Sequence, residues 1–532
     1  MKTPINPPPC CGLPSKPHGL LTKLLCVLVT LAACSHPSSP TDAPPGGGDA
    51  LTTNHGPNVV FVLTDDLDEE VYSHMQRLKT LMDDKGLSFQ NHFLNISLCC
   101  PSRTAILRGQ YAHNTKIFSN APPTGGFETF FANGSEAETL PVWMKAAGYR
   151  TVLMGKYLNG YPNTAPAGYI PPGWSEWYSP LNGNPYSDYN YGMNENGTVV
   201  QYAMTPADYM PDVLSDKAAD FIRRASTDHV PFFMYITPYV PHSPATPAPR
   251  YAHDFPGVKA PRTPSFNQAD VSNMPTWLQS HPLLTTAQID DIDKLYRKRL
   301  QSMEAVEDMV QNIVDTLTAT GELENTYIVF TSDNGFHQGQ HRLMSGKNTE
   351  FDEDLRVPLI VRGPGVPAGA TIDYPTMNVD FAPTFLELAG TAIPAGIDGR
   401  SLVPLLGTTQ PEASSWRQAV FLEHAADVPG QNFARASVAS TLEPDDVLFV
   451  PAPAPRAEAP PPFEGVRTAK YTLLEYGTGG KELYDHAADP HQMNNIAATA
   501  DLALQTQLSS MIHRMHGCAG EACRTAEQMA AP

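Results

Sequence analysis

Val59-Val60-Phe61-Val62-Leu63-Thr64-Asp65-Asp66 is the stretch from which the architecture can be read. An unbroken apolar run rich in valine suits a strand covered on both faces, since a half-exposed strand would alternate apolar and polar residues. Similar runs at Thr151–Met154, Phe232–Ile236, Tyr327–Thr331 and Pro358–Val361 are read as further buried parallel strands. Helical segments lie between them. In the clearest one Met303, Val306, Val310, Ile313, Val314 and Leu317 share a stripe, with Gly321 as the stop. Strands alternating with helices indicate a layered α/β domain.

The residues after each run carry the chemistry. Asp65-Asp66 ends the first, Lys156 follows the second, Pro241-His242 closes the third and Asp333-Asn334 follows the fourth. Ligand sites of open α/β sheets collect beyond the carboxyl ends of strands, so these groups are expected to form one site. Asp65, Asp66, Asp333 and Asn334 offer oxygen ligands only, which suits calcium or magnesium rather than zinc. Taken singly, each pair also fits a helix cap or a turn. Their placement at matching strand ends favours the metal.

A second stretch, Leu98-Cys99-Cys100-Pro101-Ser102-Arg103-Thr104-Ala105, puts proline at +2 and arginine at +4 of Cys99, the pattern C-x-P-x-R. On their own the two cysteines fit a buried thiol pair, a vicinal disulfide or half a metal site. A helix over Ser102–Leu107, stopped near Gly109, would set an anion at Cys99 against a positive helix end. A thiolate there is a poor calcium ligand.

Composition narrows the function. The chain has 532 residues, 41% of them hydrophobic, and a net charge of -20 from 55 acidic and 35 basic residues. That excess disfavours nucleic acid and long polyanions, but not a small anionic ester entering a pocket with its own cations. Leu24–Ala33 is an apolar run behind Lys16 and Lys23, too short to span a bilayer and suited to a signal peptide over residues 1–33. Leu31-Ala32-Ala33-Cys34 resembles a bacterial lipobox, in which Cys34 is lipidated and residues 34–56 tether the protein to the membrane. The alternative is plain secretion after Ala33. Either way an envelope location, periplasmic or at the cell surface, is expected. Cys518 and Cys523 suit a local disulfide in an oxidising compartment, a free thiol pair being the alternative.

Between Tyr157 and Tyr202 an irregular aromatic segment carries Trp174, Trp177, Tyr178, Tyr186, Tyr189 and Tyr191, either stacking on sugar rings or packed on itself. After about Gln410 the pattern changes. A proline-rich excursion spans Val447–Pro462, antiparallel strands are read over Val466–Tyr476 and Glu482–Tyr484, and a helix from about Asn494 to Met515.

Together these pieces resemble the type I sulfatases of the alkaline-phosphatase-like superfamily, almost from Pro57 to the end. Besides C-C-P-S-R the resemblance rests on Val62–Asp66, Gly155-Lys156, Pro241–Pro244, Thr331–Gly335, Lys347 and Arg356–Gly365. It implies a mixed α/β sheet flanked by helices over 57–410 and a smaller α+β subdomain over 411–532. It also implies that a formylglycine-generating enzyme oxidises Cys99 to formylglycine. Asp65, Asp66, Asp333 and Asn334 would then hold one calcium ion with the modified Cys99. A hydrate oxygen of that aldehyde would attack sulfur, and loss of a proton from the second hydroxyl would expel sulfate. Arg103 would steady the hydrate, Lys156 and Lys347 would bind sulfate oxygens, and His242 would protonate the leaving sugar oxygen. His337 is a second candidate for the leaving group or substrate.

Many sulfatases carry histidine two residues beyond the lysine matching Lys156; this chain has Leu158, then Asn159. Cys100–Asn114, Gly155–Asn159 and Cys518-x4-Cys523-Arg524 resemble the N-acetylglucosamine-6-sulfatases of glycosaminoglycan breakdown. The expected substrate is therefore the 6-O-sulfate of N-acetylglucosamine, with another sulfated carbohydrate or an aryl sulfate as the alternatives within the family. A related phosphatase or phosphonate ester hydrolase is the enzyme alternative, and a lipoprotein that binds sulfated glycans without cleaving them is the other.

Overall fold

The computed structural model describes residues 56–166, 168–425 and 460–532. The signal peptide and lipidated tether, and the proline-rich excursion apart from its last residues, lie outside the described residues. Residues 54–532 form a single compact unit.

Its frame is a ten-stranded mixed sheet. From one edge the order is Ala370–Ile372, Leu87–Phe89, Leu359–Arg362, Thr326–Ser332, Asn58–Thr64, Phe232–Thr237, Arg150–Gly155, Glu176–Gly183, Tyr191–Glu195 and Thr198–Tyr202. The strands from Thr326–Ser332 through Glu176–Gly183 run parallel. The Leu359–Arg362 strand is antiparallel to its neighbours, which corrects the parallel direction expected for it. Burial on both faces produces the same apolar run whichever way a strand points, so composition holds no record of direction.

The valine-rich first strand shows how this sequence makes two cores. Successive side chains of a strand point to opposite faces. Val60 and Val62 join one buried cluster, with Met210, Leu214, Met303, Val306 and Val310 from the helices Met210–Asp228 and Thr286–Ala319. Val59, Phe61 and Leu63 join the other, with Ile106, Met144, Phe381 and Phe385 from Cys99–Arg108, Leu140–Ala146 and Phe381–Leu388. Both layers of helices thus clamp the same strand and hold its carboxyl end in place.

A second sheet, antiparallel and four-stranded, comprises Ala419–His424, Phe463–Thr468, Tyr471–Tyr476 and Lys481–Asp485, with the helix Leu502–Met515 on it. The single run expected over Val466–Tyr476 is two strands, turned at Ala469-Lys470. The last long helix begins at Leu502 rather than near Asn494, because Asp501 accepts from Ala503 N–H and caps it there. Cys518 and Cys523 are disulfide-bonded.

The aromatic segment is the larger correction. It contains three strands of the main sheet, and Trp174, Trp177, Tyr186 and Tyr191 are buried. Most of its rings pack on one another, as between Trp174 and Trp177 or Tyr157 and Trp177, so they are core rather than a sugar platform.

Candidate active site

The parallel strands deliver their terminal residues to one buried cluster. Asp66 sits in the left-handed region at φ 65, which turns the chain sharply after Asp65. That turn is pinned from two sides: Leu67 N–H donates to Ser332 Oγ at 2.8 Å, and buried Arg299 donates to the Asp66 carbonyl at 2.5 Å. Gly155 precedes Lys156 with φ 108, and a Cβ there would meet the Thr237 carbonyl oxygen at 2.0 Å. Only glycine permits this approach. Lys156 N–H then donates to that carbonyl at 2.8 Å, and its side chain reaches Asp65 Oδ2 at 2.7 Å.

Cys99 is the first residue of the helix Cys99–Arg108, which ends on Gly109 at φ 63. The helix starts three residues earlier than expected, so Cys99 lies at its positive end. Cys99 and Cys100 are both buried and free, so no vicinal disulfide exists. Cys100 faces the apolar cluster around Phe127 and Leu140, which makes it a core residue. Cys99 faces charge instead. Lys347 Nζ donates to Cys99 Sγ at 2.8 Å and to Asp66 Oδ1 at 2.6 Å, and the thiol donates to Asp65 Oδ1 at 3.5 Å. Burial pushes this thiol well above its usual range despite Lys156 and Lys347, so an unmodified Cys99 is a neutral thiol and a weak nucleophile.

The expected metal ligands come together here. Ligand atoms of Asp65, Asp66, Cys99 and His242 lie within 4.8 Å of one another. Asp333 stands behind them: its Oδ1 accepts from Asp66 N–H at 3.1 Å and its Oδ2 from Arg103 Nε at 2.7 Å. Arg103 also donates to Thr237 Oγ1 at 2.7 Å and lies 3.7 Å from Asp65 Oδ2, so it braces two carboxylates. Asn334 donates to Asp66 Oδ1 at 2.6 Å while its own Oδ1, like Asp66 Oδ2, is buried without a hydrogen-bond partner among the described residues. Burial pushes the Asp65 and Asp66 carboxyls up, but the neighbouring cations outweigh it. Lys156, His242 and Arg103 hold Asp65 well below the carboxylate range, and Lys347 with His242 holds Asp66 below it. Unsatisfied oxygens beside two ionised carboxylates fit a hard divalent cation.

The two histidines differ. His242 Nδ1 donates to the Ser243 carbonyl at 2.8 Å, which leaves Nε2 facing Asp66 Oδ2 at 3.7 Å. The Tyr186 ring packs against it, tilted by 44° with centroids 4.5 Å apart, and also faces Lys156 Nζ at 5.0 Å. Tyr186 was not singled out as a site residue, its signal being lost among the other rings of the aromatic segment. His337 instead bonds Asp354 at 2.9 Å and exchanges backbone hydrogen bonds with Gly346, next to Lys347. It braces the Lys347 loop through Nδ1 and its backbone, while its Nε2 is buried with no hydrogen-bond partner among the described residues. Leu158, where many sulfatases have histidine, is buried in the apolar cluster.

Asp188 was missed altogether. It is fully buried at the end of a short turn after Tyr186, and neither carboxylate oxygen has a hydrogen-bond partner among the described residues. Burial and the nearby Asp65 charge push its carboxyl well up, so it is neutral.

The segments Tyr111–Asn114 and Cys518–Arg524 meet each other away from the cluster. His113 Nε2 lies 2.9 Å from the Cys518 carbonyl oxygen and Asn114 donates to it at 2.8 Å. Close approach of His113 to Cys518 and Cys523 makes no metal site, since both sulfurs are in the disulfide. These motifs clamp the C-terminal helix to the main body.

A buried, cation-balanced carboxylate cluster at the ends of parallel strands, with a helix end aimed at it, defines an anionic-ester hydrolase. The Sulfatase family model matches residues 57–391, and the chain belongs to the sulfatase family. It is 35% identical over 485 residues to N-acetylglucosamine-6-sulfatase of Homo sapiens, covering 88% of this chain and 86% of that protein. With the goat enzyme, Capra hircus, it shares 34% over 496 residues, 90% and 87% of the two chains. Its fold resembles that of a protein solved with its substrate D-glucosamine-2-N,6-O-disulfate, at TM-score 0.70 and 24% identity over 89% of this chain and 99% of the other. A phosphonate monoester hydrolase from Silicibacter pomeroyi has the same fold at TM-score 0.66 and 23% identity, over 87% and 96%.

Proposed function

We propose that this sulfatase removes the 6-O-sulfate of N-acetylglucosamine, using formylglycine at position 99 and one calcium ion. The observation that carries the chemistry is the contrast at position 99. The residue sits at a helix N-terminus, touched by Lys347 and Asp65, yet as a thiol it is neutral and suits neither attack nor a hard cation. Identity with the mammalian N-acetylglucosamine-6-sulfatases over most of both chains supports the sugar.

Asp65, Asp66, Asp333 and Asn334 would hold the cation with the modified Cys99, and Arg103, bonded to Asp333, would keep that carboxylate in place. Calcium would supply charge to offset the sulfate ester, and the aldehyde hydrate a nucleophilic oxygen that cysteine lacks. Lys347 and Lys156 bind sulfate oxygens and stabilise the charge that builds on them in the transition state. His242 Nε2, the ring nitrogen that faces Asp66 Oδ2, carries the proton to the departing sugar oxygen. Tyr186 packs against that ring and holds it in place. Leu158 offers no proton acceptor for sulfate release; the ring nitrogens of His242 and His337 are the acceptors the site supplies.

Lipidation at Cys34, and with it an envelope location, belongs to the same reading; it rests on Leu31–Cys34 alone. The substrate is tested by incubating active enzyme with N-acetylglucosamine-6-sulfate and following free sulfate. Release at the 6-position is expected. An active preparation that ignores this sugar but cleaves another sulfated one overturns the assignment.

A further inference from the structure

Lys347 does not end the site. It forms one wall of a cavity of about 420 Å³, within the roughly 300–1,000 Å³ typical of small-molecule sites. The sides are largely apolar, with Pro244, Ile292, Leu295, Phe336 and Met344, and suit the faces of a sugar ring. The same cavity is lined by Lys294 and Lys298, one helical turn apart on Thr286–Ala319. Lys294 is answered by Asp291 at 2.9 Å. Lys298 is exposed and has no ion-pair or hydrogen-bond partner among the described residues. In a chain with net charge -20, a cavity running from a catalytic lysine to an unanswered one is a local reversal of sign.

We propose that Lys298, with Lys294 beside it, receives a second anionic group of the substrate, separate from the ester being cleaved. This rests on the proposed sulfated-sugar reading, which it deepens. One anion goes to Lys347 and Lys156 for hydrolysis, the ring lies along the apolar walls, and the other anion stays at Lys298. The second group is a further sulfate on the same sugar or a carboxylate on the adjoining one. Doubly charged sugars are then preferred, and the net negative surface outside the cavity still turns away long polyanions. Because this contact is made equally in the ground and transition states, it acts on KM rather than kcat.

The test compares four substrates in the full enzyme and in Lys298→Glu: N-acetylglucosamine-6-sulfate, glucosamine-2-N,6-O-disulfate, and N-acetylglucosamine-6-sulfate linked to a uronate or to galactose. The variant is expected to lose roughly fivefold more kcat/KM on a doubly charged substrate than on its singly charged counterpart, through KM, with Lys298→Arg retaining the preference. Loss confined to the disulfate places the second anion on the same ring; loss confined to the uronate places it on the next residue. Equal losses on all four, or none, overturn the proposal. Should wild-type enzyme cleave none of them, the substrate reading has failed. The cavity is then judged by how N-sulfated glucosamine and the uronate disaccharide inhibit 4-nitrophenyl sulfate hydrolysis. Inhibition weakened by Lys298→Glu upholds Lys298 as an anion site, and inhibition indifferent to the variant overturns it.

Discussion

Two of the buried charge clusters in this molecule are built to different rules. In one, Arg417 lies among Asp380, Glu527 and Arg400, where the C-terminal helix meets the main body. Arg417 donates to both oxygens of Asp380 at 2.6 and 2.7 Å and to Glu527 at 2.7 Å; Arg400 and Tyr111 complete Glu527. Backbone N–H groups of Met377 and Arg400 supply the remaining bonds to Asp380. Every polar atom of Arg417, Asp380 and Glu527 is answered. The other cluster, at the strand ends, is as deeply buried yet leaves Asp66 Oδ2, Asn334 Oδ1 and an Arg103 nitrogen unanswered. Buried polar groups are normally paired, so the exceptions mark where something else must bind. Apart from Arg400 Nε the network that holds the fold is complete, and the strand-end cluster leaves oxygens open beside the proposed chemistry.

The sharpest way to break this contrast is to remove one cation from each cluster. Lys347→Ala should lower kcat by roughly 10²–10³ with a small change in melting temperature, because the lysine acts on transition-state charge. Arg417→Ala should do the reverse. Losing the partner of two buried carboxylates destabilises by about 3–5 kcal/mol, while the folded fraction keeps its kcat. Thermal melts and active-site-normalised kinetics decide between these patterns, and a shared pattern for both variants would erase the distinction.

A smaller effect sharpens the reading of the unanswered oxygens. Calcium in hundredfold excess over its Kd should add about 2.7 kcal/mol to wild-type stability, and a chelator should remove it. Asp66→Ala should abolish the response and Asp380→Ala should not, as read by melting temperature with and without calcium.

The smallest effect concerns Asp188, whose unanswered carboxyl is neutral rather than charged. Its folded pKa is raised above the unfolded value of 3.8, so between the two the native state holds a proton that the unfolded state has released. Stability therefore falls as pH rises through that window. Asp188→Asn should raise the melting temperature at neutral pH, with the gain fading below about pH 4. A variant no more stable at neutral pH would mean that the carboxyl is answered by a group outside the described residues.

Much of the site was legible because strand ends carry it. The runs at 59–63, 151–154, 232–236 and 327–331 lie inside observed strands, and Asp65, Asp66, Lys156, His242, Asp333 and Asn334 converge as their positions implied. What stayed hidden depends on tertiary contact. That Asp333 also braces Arg103, and that His337 Nδ1 is tied to Asp354, depends on partners more than ten residues away. The aromatic segment misled because rings that would stack on sugars have the same composition as rings that fill a core. Cys518–Arg524, which resembles the N-acetylglucosamine-6-sulfatases, turned out to join helix to body rather than line the cluster. Part of the likeness to those enzymes is thus a likeness of scaffold.

Everything proposed for catalysis passes through Cys99, and the most direct measurement is the mass of its peptide in an active preparation from a host that carries the modifying enzyme. The aldehyde at position 99 with Cys100 an unmodified thiol is the predicted result. An active enzyme whose peptide holds two intact cysteines would contradict the account.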